Sequence, residues 1–141
     1  MIYWDRPEGE TWKLNTYGST MEGSRSSGIG GIVRKGNGRI VMAFAKHIQF
    51  STNNSCELQA ALYGLQWYNE QQQQLHLILE MDSLVIVNML KGQTKPPWRL
   101  RKTIEAAQRI VHHRQIEVKH CFRKANAIAN SRAKKGCYGH Y

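Results

Sequence analysis

A chain of 141 residues is long enough for one domain with a sizeable core and too short for two ordinary ones. Its 41% hydrophobic and 21% charged residues are a globular composition, and no apolar run has the length that crossing a bilayer needs, so a membrane partner is not expected. Lys and Arg number 20 against 10 Asp and Glu, a formal charge of +10 that attracts polyanions and makes nucleic acid the leading partner class.

Cys56, Cys121 and Cys137 are odd in number and lack metal-ligand spacing. Free or buried thiols in a reducing compartment, with no disulfide partner, are therefore expected. Residues 1–5 do not read as a signal peptide. The expectation is a soluble intracellular protein, with nucleus or cytoplasm left open.

In chain order, residues 1–11 carry turn residues and a proline and read as a lead-in arm. Large and polar residues alternate from Trp12 to Tyr17, which predicts a strand. The Gly- and Ser-rich stretch Gly18–Ser27 reads as a loop. Gly28–Arg34 reads as a second strand, Lys35–Gly38 as hairpin turn chemistry, and Arg39–Ile48 as a third strand. Gly28, Gly30 and Gly31 do not form a dinucleotide-binding loop, because they open a strand instead of joining a strand to a helix.

From Ser51 the period changes. Leu58, Ala61, Leu62, Leu65 and Tyr68 recur at helical spacing, with Asn53, Asn54 and Ser55 available to start the helix. Gln71–Gln74 ends that helix or links it onward. Leu75–Met81 is an apolar run in strand order, followed by Asp82 and by Ser83, which suits the cap of a short helix over Ser83–Lys91. Gly92–Trp98 breaks the pattern, and Ile104, Ala107, Gln108 and Val111 mark a helix starting near Arg99. Ile116–His120 predicts a fifth strand and Asn126–Lys135 a last helix. Three antiparallel strands followed by helix, strand, helices, strand and helix predict an α/β (α+β) mixed sheet of five strands covered by helices.

Asp82 is placed at the carboxyl end of its strand, where open α/β sheets bind ligands, although the same position stabilises a helix start. Glu57 can form the second half of a capping box with Asn54. Lys91, Lys95, Arg99, Arg101 and Lys102 surround Trp98, a pattern that suits phosphate contacts with a stacking aromatic and equally a core tryptophan beside a solvated helix start. Arg123, Lys124, Arg132, Lys134 and Lys135 form a second basic group. His112 and His113 point in different directions on a helix and suit its end better than a metal site.

Four segments then carry a resemblance: Lys13–Ser19 with Gly28–Gly31, Cys56–Ala61, Glu80–Ser83, and His120–Asn130 continuing through Ala133 and Lys134. In this order and spacing they resemble ribonuclease H type 1, in particular the plant ribonuclease H-like domains associated with retroelement reverse transcriptases. The resemblance implies a ribonuclease H-like domain over 12–136, with a short tail over 137–141; a monomeric domain is expected, though the sequence itself does not set the oligomeric state. It also implies metal-dependent hydrolysis of the RNA strand of an RNA–DNA hybrid, with two Mg²⁺ (or Mn²⁺) ions held among four carboxylates.

By that resemblance Glu57 and Asp82 fall on two of the four carboxylate positions. His120 falls on a histidine that assists proton transfer or product release. Asn126 matches an asparagine of the pattern; with it, Trp98 and Arg99 from the basic stretch, and Arg123 and Lys124 from the second basic group, which the family fold would bring close to the active-site edge, are the candidate nucleic-acid contacts. Tyr17 and Asn130 stand where the other two carboxylates belong. A phenol is uncharged at neutral pH and adds bulk, and an amide offers one oxygen without charge. Metal binding is therefore expected to be weakened and catalysis impaired, while phosphates are less repelled. An active hybrid endoribonuclease with a reduced metal site and an inactive structural remnant of a retroelement polyprotein are the alternatives.

Overall fold

The computed structural model describes residues 11–21, 23, 25–72 and 76–121. Strands β1 (Thr11–Met21), β2 (Ser26–Lys35) and β3 (Ile40–Ile48) are followed by helix α1 (Asn53–Asn69) and strand β4 (His76–Met81). Helix α2 (Leu84–Leu90), a single 3₁₀ turn (Trp98–Leu100), helix α3 (Arg101–His113) and strand β5 (Glu117–His120) complete the described elements. The sheet order is β3-β2-β1-β4-β5, with β1–β2 and β2–β3 antiparallel and β1–β4 and β4–β5 parallel. This is the mixed five-stranded sheet that the periodicities predict.

Strand β1 lies at the centre, and its alternation decides what each face carries. Trp12, Leu14 and Thr16 are buried on the face that packs against α1, where Leu58, Ala61, Leu65 and Tyr68 meet them. Leu77, Leu79 and Met81 of β4 and Ile104 and Ala107 of α3 extend the same core. Trp12 stacks on Trp67 with ring centroids 6.0 Å apart. On β3, Phe44 packs against Tyr63 of α1 at 4.6 Å, and Lys46 Nζ lies over the same Tyr63 ring.

The structure corrects several sequence expectations. Most of Gly18–Ser27 is not loop: β1 runs on to Met21 and β2 begins at Ser26, with the pairing continued from Gly18↔Ile29 to Met21↔Ser26. Small and hydroxylated residues there satisfy the ladder while lacking the apolar alternation that identifies a strand. The α1 cap is Thr52, whose Oγ1 accepts a hydrogen bond from Ser55 N at 3.2 Å, so Asn54 and Glu57 do not form a capping box there. The first α-helical residue of α3 is Arg101, because Trp98–Leu100 is 3₁₀. Trp98 is 78% exposed, which removes the core reading of that residue. Ser83 caps α2 as expected, accepting from Ile86 N. Cys56 is a buried free thiol, and Cys121 is half-buried. The expected last helix, and with it Arg123, Lys124, Asn126, Asn130, Arg132, Lys134, Lys135 and Cys137, lies outside the described residues, as does most of the lead-in arm.

Candidate functional site

The parallel register of β1 and β4 sets the site. Asn15 pairs with Glu80, and Asp82 follows the carboxyl end of β4 directly. Helix α1 crosses the α1-facing side of β1 close to this end, because Gly18 lets the strand approach the Cys56 main chain. A Cβ at Gly18 would overlap the Cys56 carbonyl group. Glu57, the next residue, is thereby directed to the same end of the sheet.

The result is a cleft of about 430 Å³ lined by Gly18, Ser19 and Thr20 of β1, Asn53, Asn54 and Glu57 of α1, and Asp82, Ser83, Leu84 and Val85 at the β4–α2 junction. Glu57 and Asp82 are thus brought together. One oxygen of each carboxylate, Glu57 Oε1 and Asp82 Oδ1, is removed from solvent. The opposite rim is apolar: Leu84 and Val85 are about half exposed, at 51% and 49%. On the β5 side, His120 Nε2 lies 3.3 Å from the main-chain oxygen of Asp82, outside the residues that line the cleft. It pairs with Met81 in the β4–β5 register.

Tyr17 does not line the cleft. It is directly opposite Gly30 in the β1–β2 pairing, and its ring lies across that glycine: a Gly30 Cβ would overlap Cζ, Oη and Cε2. The absence of a side chain at Gly30 is what gives the ring its place. On the same face Glu80 accepts from Asn15 Nδ2 at 3.0 Å and pairs with Lys13 Nζ at 3.5 Å, so this third nearby carboxylate is already engaged.

A second depression, of about 480 Å³, adjoins the first through Asn54. It is lined by Ser51, Thr52, Asn54 and Ser55 at the start of α1 and by Pro97, Arg99 and Leu100. Arg99 is exposed, and Trp98 projects beside it. Of the expected site residues, the structure therefore gathers Glu57, Asp82 and His120 at one sheet end and places Arg99 and Trp98 along the continuation. Sequence reasoning did not find Asn53, Asn54, Thr20, Leu84 or Val85. Thr20 was hidden in the segment read as loop; Leu84 and Val85 were read only as part of the short helix after Ser83.

As a donor set, the two cleft carboxylates suit one hard divalent cation completed by water and phosphate oxygens, whereas a closely spaced pair of such ions calls for more anionic ligands. Among the described residues no three His, Cys, Asp or Glu side chains come together as a metal site. No described helix is long and apolar enough to cross a membrane.

Residues 15–136 match the family described as reverse transcriptase-like. The chain belongs to the reverse transcriptase-like family. Its fold is the ribonuclease H fold, shared with several solved structures. Ribonuclease H1 of the archaeon Halobacterium salinarum is 20% identical, with a TM-score of 0.72 over 83% of this chain and 89% of that one. LC11-RNase H1, isolated from compost by a metagenomic approach, is 24% identical in its complex with an RNA/DNA hybrid, with a TM-score of 0.68 over 85% of this chain and 91% of that one. The foamy viral protease-reverse transcriptase in complex with an RNA/DNA hybrid is 15% identical, with a TM-score of 0.70. There the whole of this chain corresponds to 22% of the viral protein. No curated protein matches the chain.

Proposed function

We propose that this family member is a nucleic-acid-binding domain, directed at RNA–DNA hybrids, in which metal-dependent hydrolysis of the RNA strand is impaired. The observation that carries the reading is the division at the sheet end: Glu57 and Asp82 share a cleft, while position 17 presents a tyrosine ring laid on Gly30. Hybrids bound by LC11-RNase H1 and by the foamy viral enzyme support the choice of ligand.

In this reading Glu57 and Asp82 would hold a divalent ion, Mg²⁺ or Mn²⁺, which when bound supplies Lewis-acid stabilisation at a phosphate. The chain's own residues do the rest. Arg99 contacts a phosphate along the second depression, and exposed Trp98 offers a stacking surface. Arg123 and Lys124 of the second basic group are assigned phosphate contacts, and Asn126 a nucleic-acid contact from the family pattern. His120, whose ring lies against the Asp82 main chain, would move a proton. The lost charge at Tyr17 and Asn130 lowers the site's affinity for cations and its repulsion of phosphates together. The functional unit is assigned to 12–136.

The test compares the native chain with a Tyr17→Asp/Asn130→Asp variant, reading hybrid binding and cleavage in the same samples with Mg²⁺ or Mn²⁺. Binding by both and cleavage only after restoration is the expected result. Equal cleavage by the two would instead establish a working nuclease with a reduced metal site. Absence of salt-dependent binding to hybrid or duplex would point to a structural remnant.

A further inference from the structure

The end of the β1–β2 hairpin carries a closed set of hydroxyl contacts that none of the cleft chemistry requires. Thr20 and Ser27 are directly paired across the hairpin, with Oγ atoms 2.8 Å apart. Thr20 Oγ1 donates to the Ser51 carbonyl, and Ser51 N donates to Ser27 Oγ at 3.0 Å. The Ser27 hydroxyl also lies 3.4 Å from the Ser51 carbonyl, so both hydroxyls converge on that oxygen. Gln59 Nε2 reaches Ser51 Oγ from the next turns of α1 at 3.4 Å, and Cys56 Sγ lies 3.3 Å from Thr20 Oγ1.

Both main-chain groups of Ser51 are thus held by side chains of the sheet. Thr52, the α1 cap, comes next in the chain, and Glu57 stands one turn into the helix. The facing wall, Asp82–Val85, is fixed separately by β4 pairing and the Ser83 cap. The separation of the two carboxylates therefore depends on how the start of α1 is docked on β1. We propose that Thr20, with Ser27, is a positioning residue for Glu57: the two hydroxyls clamp Ser51 and so fix the first turn of α1 against the end of β4. The clamp follows from geometry alone; its effect on cation binding rests on the reading of Glu57 and Asp82 given above.

Thr20→Val keeps the shape and removes the hydroxyl, Thr20→Ser restores it, and Ser27→Ala breaks the clamp from the other strand. Amide hydrogen exchange over 53–58 is measured beside exchange over 60–68, together with Mn²⁺ binding by paramagnetic water relaxation, with Asp82→Asn marking ions bound at this cleft. For Thr20→Val and Ser27→Ala, exchange over 53–58 should quicken about tenfold while 60–68 is unchanged. Mn²⁺ affinity should fall about tenfold, the scale for losing groups that orient metal ligands, and Thr20→Ser should recover both. Unchanged exchange at 53–58, equal acceleration along all of α1, or no recovery in Thr20→Ser would overturn the proposal. So would weakened exchange protection with unaltered Mn²⁺ affinity. Should the native chain bind no Mn²⁺ at this cleft, the metal reading fails by itself and the exchange pattern alone decides the clamp. Should Thr20→Val not fold, Ser27→Ala gives the same decision.

Discussion

At position 17 a side chain expected to be an acidic ligand is an aromatic ring, and the space it takes comes from Gly30. Glycine weakens a strand by about 0.5–1 kcal/mol relative to alanine where nothing else intervenes. With the tyrosine present, Gly30→Ala must displace the ring, an overpacking cost of about 1–3 kcal/mol. The substitution should therefore destabilise the native chain and stabilise a Tyr17→Asp background. A double-mutant cycle by urea unfolding should show coupling above about 0.5 kcal/mol, and additive effects would contradict the packing described. That position 17 lacks a carboxylate was legible in the sequence. Where the ring goes was not, because its destination depends on the register of a hairpin whose polar half reads as loop. Glu57 and Asp82 were legible as candidates, and only the approach of α1 allowed by Gly18 brings them into one cleft.

At the level of elements, α1 is fastened at both ends. Thr52 caps its start, and at its other end Arg114 lies over the Tyr68 ring at 4.4 Å. The Arg114 guanidinium also donates to the Tyr68, Asn69 and Gln71 carbonyl oxygens. Thr52→Ala is expected to cost about 1 kcal/mol by loss of the cap. Arg114→Ala should cost about 1–2 kcal/mol, and Arg114→Lys should recover only part, since an ammonium keeps the charge but not the planar fork. Urea midpoints with an unchanged m-value would check both. The cap at Ser83 was readable because a serine separates two apolar runs. Thr52 was masked by the three neighbouring polar residues, Asn53, Asn54 and Ser55. Arg114 was not readable at all, since its partners at Tyr68 and Asn69 are 46 and 45 positions away.

At the scale of the whole molecule, the formal +10 charge and the loss of acidity proposed for the sheet end act in the same direction. In EDTA the native chain should bind hybrid more tightly than the Tyr17→Asp/Asn130→Asp variant, the reverse of their order in cleavage. The logarithm of affinity should fall with the logarithm of salt concentration by about 0.9 for each phosphate neutralised. Weaker binding by the native chain in EDTA, or a flat salt response, would oppose the electrostatic account. The element order and the mixed sheet were legible because periods of two and near four alternate cleanly along the chain. The course of Gly18–Ser27 was not, since hydrogen-bonded hydroxyls substitute there for apolar alternation.

The parallel pairing of β1 with β4 also has a meaning in time. Hairpins β1–β2 and β2–β3 close over short loops, whereas Asn15 meets Glu80 across a separation of 65 residues. Contacts so distant in sequence are entropically costly to close and tend to form late. Pulsed hydrogen exchange during refolding should find β1 and β2 amides protected before those of β4. A growing chain would then carry its hairpins before it carries the cleft, and its two carboxylates would meet only when the central seam of the sheet closes.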